Sequence, residues 1–149
     1  MLEKIIEKAQ KENKKVYIYA HKTPDGDALG SACAVVEYFK NKGIDAQYVI
    51  TNPIYSFSQI VGDIQTTSSV DENSISLILD TSTLDYAENT LFESSSVSDI
   101  FVIDHHGENK KAKCIEVDLK VPKKNVIRNP MESSTCEMIL DEIRTRIDT

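Results

Sequence analysis

The chain has 149 residues, 17 of them basic and 24 acidic, for a formal charge of -7. With 40% hydrophobic and 28% charged residues it is long enough to bury its own core, which excludes a disordered chain and one that needs a disulfide or metal staple. The charge excludes a protein held to nucleic acid by overall basicity, and no apolar run approaches the ~20 residues that cross a bilayer.

Residues 2–12 place Leu2, Ile5, Ile6 and Ala9 on one helical stripe. Their start, Met1-Leu2-Glu3-Lys4, reads as neither a secretory signal nor a transit peptide, so the expected location is the cytoplasm. Val16-Tyr17-Ile18-Tyr19-Ala20 is an almost continuous apolar run, the pattern of a buried parallel strand. After the turn Thr23-Pro24-Asp25-Gly26-Asp27, a helix is predicted from Ala28 to Lys42, stopped by Gly43, and a second strand from Ala46 to Ile50. Tyr55 to Val61 reads as a short helix and 66–69 as loop. Ser76 to Asp80 is a third strand, Tyr86 to Phe92 a helical segment, Asp99 to Ile103 a fourth strand and Cys114 to Val117 a fifth. The last helix, about 134–147, opens with Ser134-x-x-Glu137, a capping-box spacing. This order predicts one domain over 1–149: an α/β fold of three layers, with a mainly parallel five-stranded sheet and helices on both faces. Cys33, Cys114 and Cys136 are widely spaced and odd in number, so they read as reduced thiols rather than a zinc site.

In such sheets ligands bind beyond the carboxyl ends of the strands. Here three strands run into metal-ligand residue types: the first into His21-x-x-x-Asp25-x-Asp27, the third into Asp80, the fourth into Asp104-His105-His106. Taken singly, each has an ordinary reading: a half-buried histidine, an Asp-Gly turn, a helix cap. Together they put several carboxylates into one small volume, which is costly unless divalent cations supply positive charge. Mixed imidazole and carboxylate donors suit manganese, with iron, cobalt or zinc as alternatives. Four carboxylates and two imidazoles exceed the needs of one tetrahedral zinc and match two ions sharing a carboxylate.

At this point the sequence resembles the DHH phosphoesterase family. The resemblance rests on His21-Lys22-Thr23-Pro24-Asp25-Gly26-Asp27-Ala28-Leu29-Gly30-Ser31, Asp80, Asp104-His105-His106-Gly107 and Ser133-Ser134-Thr135-x-Glu137, in the family's order. The first motif most resembles the nanoRNA and phosphoadenosine-phosphate phosphatases and the cyclic-dinucleotide phosphodiesterases. The resemblance implies a Rossmann-like catalytic domain that hydrolyses a small phosphoester or short oligonucleotide with two Mn2+ ions, Mg2+ or Co2+ being substitutes. His21 and Asp25 would hold one ion, Asp27 and His105 the other, and Asp80 both. Asp104 would orient a ligand, and His106 would touch the phosphate or protonate the leaving group. Ser134, Thr135 and Arg128 are the expected substrate contacts. The first two would act through the start of the last helix, where a plain helix cap is the structural alternative.

One departure stands out. Family members continue into a strand whose Asp-Thr-Gly segment carries a further ligand, and then into a C-terminal domain that grips the nucleotide. The expectation is therefore a catalytic domain cut before both, with a homodimer left open. The alternative is a catalytically weak or inactive metal- or nucleotide-binding module.

Overall fold

The structure, a computed structural model, describes residues 1–22, 26–51, 64–107 and 111–147. Its elements in chain order are α1 (Leu2–Glu12), β1 (Val16–Tyr19), α2 (Gly26–Asn41), β2 (Ala46–Val49), β3 (Thr66–Thr67), β4 (Ile75–Leu79), β5 (Ile100–Asp104), α3 (Ile115–Asp118), β6 (Val126–Arg128) and α4 (Thr135–Ile147). The strands form one sheet in the order β3-β2-β1-β4-β5-β6, every pair parallel.

That order explains how the faces are covered. From β1 the chain steps outward to β2 and β3, then returns past β1 to β4 and steps the other way to β5 and β6. Connections made in opposite directions lie on opposite faces, because parallel crossovers share one hand. Strand side chains alternate accordingly. Val16, Ile18, Leu77, Leu79, Phe101 and Ile103 pack with α1, α2 and α4, while Tyr17, Tyr19, Ile78, Ile100 and Val102 pack with Phe92, Ile115 and Val121. The long helices share the first face. On the second, the described cover is α3 and the 3-10 turns Leu84–Tyr86 and Leu91–Ser94.

The α/β class and the parallel sheet agree with the sequence reading; the details differ in four places. There are six strands, not five. Thr66–Thr67, expected as loop, adds to β2, with Tyr48 opposite Thr66. Cys114 to Val117, expected as the fifth strand, instead caps and begins α3, whose first amide at Ile115 donates to the Ser82 carbonyl at 3.0 Å. The expected helix at Tyr86 to Phe92 is split between the two 3-10 turns, because Asn89 Oδ1 accepts the Leu91 amide at 3.0 Å and ends the run. The expected Tyr55–Val61 helix lies outside the described residues. Among the described residues no helix is long and apolar enough to cross a membrane.

Candidate metal centre

The sheet reverses its stepping direction between β1 and β4, so the crevice beyond their carboxyl ends is the place where this topology binds ligands. His21 follows β1, Asp80 follows β4, and Asp104 ends β5 with His105 and His106 directly after it. Asp27 lies in the first turn of α2, which begins at Gly26, two residues before the predicted start at Ala28. Asp25 lies outside the described residues.

Asp80 is 2% exposed and is the centre of the cluster. Its Oδ2 stands 3.5 Å from His21 Nε2, while its Oδ1 stands 3.5 Å from His105 Nε2 and 3.7 Å from His106 Nδ1. The two oxygens therefore face different imidazoles. Thr135 Oγ1 donates to Oδ1 at 3.0 Å, and the Asp80 amide donates to the Ile103 carbonyl at 3.0 Å. The backbone here is left-handed, at φ 52°. Among side chains other than glycine, aspartate and asparagine accept this region best.

Asp27 is held by the start of α4. The Thr135 amide donates to Oδ2 at 3.0 Å and the Cys136 amide to Oδ1 at 2.8 Å. Burial pushes the Asp27 carboxyl up, but the Cys136 and Thr135 amides, the Cys136 thiol and His105 outweigh it. Together they hold the group below its ordinary value of 3.8. His105 Nε2 stands 3.5 Å from Asp27 Oδ2 as well as from Asp80 Oδ1. The His105 and His106 rings lie 4.3 Å apart, tilted by 37°.

These donors fit a divalent cation. Ligand atoms that share one ion lie roughly 3–3.4 Å apart, from bond lengths near 2.1 Å. The 3.5 Å gaps around His105 and His21 are close to that spacing and at the outer limit of a hydrogen bond. Asp80, His105 and His106 each offer an atom within 4.8 Å of the others. Among the described residues, no lysine or arginine forms an ion pair with Asp27 or Asp80.

The three expected substrate contacts each have partners within the chain. Arg128 is enclosed, its side chain 9% exposed. Its Nε and Nη2 donate to Glu116 at 2.7 Å each, and its Nη1 donates to Asp104 and, at 2.9 Å, to the His106 carbonyl. Burial works against its charge, but Glu116 and Asp104 more than offset this and raise its pKa. Thr135 is fully buried and is spent on Asp80 and Asp27. Ser134 caps α4, its Oγ accepting the Glu137 amide at 3.1 Å, which leaves the cap reading in place. Asp104 is fully buried, with Oδ1 2.7 Å from His106 Nδ1.

Sequence reasoning missed Glu116, Gly30 and Cys136. A Cβ on Gly30 would meet Cys136 Sγ at 2.9 Å, so glycine is what lets α4 approach α2 closely enough for Asp27 to cap it. The thiol also accepts from Ser31 Oγ at 3.3 Å. The Gly30-Ser31 pair in the first motif was the available signal.

Fold and cluster together define a doubly wound parallel α/β domain with a histidine–aspartate cluster, able to hold a cation, at its switch point. The sequence model of the DHH family, N-terminal domain, matches residues 15–148, and the chain belongs to that family. Among curated proteins none matches it significantly in sequence. A solved structure of an exopolyphosphatase-related protein from Bacteroides fragilis shares the fold, with a TM-score of 0.65 and 20% identity. The match covers 96% of this chain and 44% of that one, so the chain spans less than half the length of that protein.

Proposed function

We propose that this domain is the catalytic part of a metal-dependent phosphoesterase. The observation that carries the reading is Asp80, which turns its two oxygens toward His21 on one side and His105 on the other. On this reading Asp27 and His105 would hold one ion, His21 with Asp25 the other, and Asp80 would serve both. Mn2+ fits the mixed donors. When bound, such ions ionise a water and take up charge on the phosphoryl oxygens. Hydrolysis would put the water oxygen on phosphorus, break the bond to the leaving oxygen and release that oxygen with a proton. His106, with a side chain 43% exposed, would meet the phosphate or, as the imidazolium, supply that proton. The substrates proposed are phosphoadenosine phosphate, a short oligonucleotide or a cyclic dinucleotide.

The test is hydrolysis of bis(p-nitrophenyl) phosphate and of a dinucleotide, with and without Mn2+. Turnover that needs Mn2+ and disappears in Asp80→Ala and His105→Ala supports the reading. Turnover unchanged in both variants refutes it. Tight Mn2+ binding without turnover of either compound supports a binding module in its place.

A further inference from the structure

Resting on the hydrolytic reading above, we propose that Arg128 and Glu116 are positioning residues for His106. The network starts from strand register: β5 and β6 are parallel, with Asp104 opposite Arg128. Asp104 is fully buried and has both oxygens engaged. One faces His106 Nδ1 at 2.7 Å and the other accepts Arg128 Nη1. The same Nη1 donates to the His106 carbonyl at 2.9 Å, so Arg128 grips both the carboxylate that holds the ring and the backbone that carries it. Glu116, from α3, accepts Nε and Nη2 as a two-pronged pair at 2.7 Å each and fixes the plane of the guanidinium.

This arrangement decides which imidazole nitrogen faces outward. Nδ1 is committed to Asp104, which leaves Nε2 for the substrate. Arg128 and Glu116 are 9% and 13% exposed at their side chains. Four of the five guanidinium hydrogens are taken within the chain, by Glu116, Asp104 and the His106 carbonyl, so the group is not presented as an open phosphate clamp. The pair therefore acts through His106, in the way outer partners fix the ring of a functional histidine. A lysine at 128 keeps a charge but cannot span Asp104, Glu116 and the His106 carbonyl at once.

The experiment has two arms, run on Arg128→Met, Arg128→Lys and Glu116→Gln. In the first, 15N NMR of the metal-free chain reads the His106 tautomer. The wild type is expected to carry the proton on Nδ1, and Arg128→Met to move toward the average of the two tautomers. In the second, hydrolysis of bis(p-nitrophenyl) phosphate with Mn2+ gives kcat and KM. Arg128→Met is expected to lower kcat about 10- to 100-fold, the usual range for losing such a partner, with KM within about twofold. Arg128→Lys should recover melting temperature more than kcat. Glu116→Gln keeps the fold and shows a smaller loss of the same kind, so it carries the test if Arg128→Met does not fold. A rise in KM with kcat unchanged would make Arg128 a substrate contact and overturn the proposal. So would a lowered melting temperature with kcat intact, or a wild-type proton on Nε2. If the wild type hydrolyses no phosphoester, the hydrolytic reading falls while the NMR arm still decides the positioning.

Discussion

The two ends of the sheet handle buried carboxylates in opposite ways. At the amino end, just before β5, Asp99 is 3% exposed and is met by Lys8 and by Lys14 at 2.7 Å. Burial pushes its carboxyl up, but the two ammonium groups outweigh this and hold it below 3.8. Beside it, Asn125 donates to the Ser98 and Ile100 carbonyls at 3.1 Å each and accepts from Lys4 at 3.2 Å. At the carboxyl end Asp104 has Arg128, but Asp27 and Asp80 meet imidazoles, amides and a hydroxyl. One end is neutralised from within the chain. At the other, among the described residues, no lysine or arginine pairs with Asp27 or Asp80, which is the contrast that the proposed cations would resolve.

The largest expected effect breaks the carboxyl end. Asp80→Asn should lower Mn2+-dependent turnover by roughly a hundredfold to a thousandfold, the scale of removing one preorganised electrostatic group. Hydrolysis of bis(p-nitrophenyl) phosphate measures it.

The next contrast is in stability. Asp99→Asn should cost about 1–3 kcal/mol by urea unfolding at neutral pH. This is less than the loss of a partner from a fully enclosed pair, because Lys8 and Lys14 can turn to water. The sign with pH follows from the lowered carboxyl. Its contribution is complete above the ordinary value of 3.8 and is lost as pH falls through the lower folded value. The gap between wild type and Asp99→Asn should therefore close in acid. Without metal, Asp80→Asn should do the reverse of Asp99→Asn and stabilise the chain by about 0.5–2 kcal/mol. Asparagine suits the left-handed backbone at 80 and still accepts the Thr135 hydroxyl.

Legibility in the sequence followed strand length. β1, β4 and β5 are almost continuous apolar runs, so their ends, and with them His21, Asp80 and the Asp104-His105-His106 triplet, could be placed without any contact being known. β3 is two threonines, and β6 is three residues ending in arginine. Neither has a period to read, because each gets its strand geometry from the neighbour it pairs with. With β6 unseen, the register that sets Arg128 opposite Asp104 was unseen too, and with it the enclosure of Arg128 by Asp104 and Glu116. Thr135 lies at the start of the last helix as read, but its contacts with Asp27 and Asp80 were hidden for a similar reason. They depend on α4 packing against α2 across Gly30, a close approach at which the Gly30-Ser31 pair hints without naming Cys136 as the partner.

The smallest expected effect sharpens that last point. Gly30→Ala should cost about 1–2 kcal/mol by crowding Cys136 Sγ, and Cys136→Ala in the same chain should recover part of it. Thermal unfolding of the single and double variants measures both.

The central claim is that the charge missing from the carboxyl end is supplied by divalent cations. Calorimetric titration of the metal-free chain with Mn2+ tests it most directly. Saturable binding that is lost in Asp80→Asn and in His105→Ala is the predicted result. No saturable binding, or binding of equal strength in both variants, would contradict it.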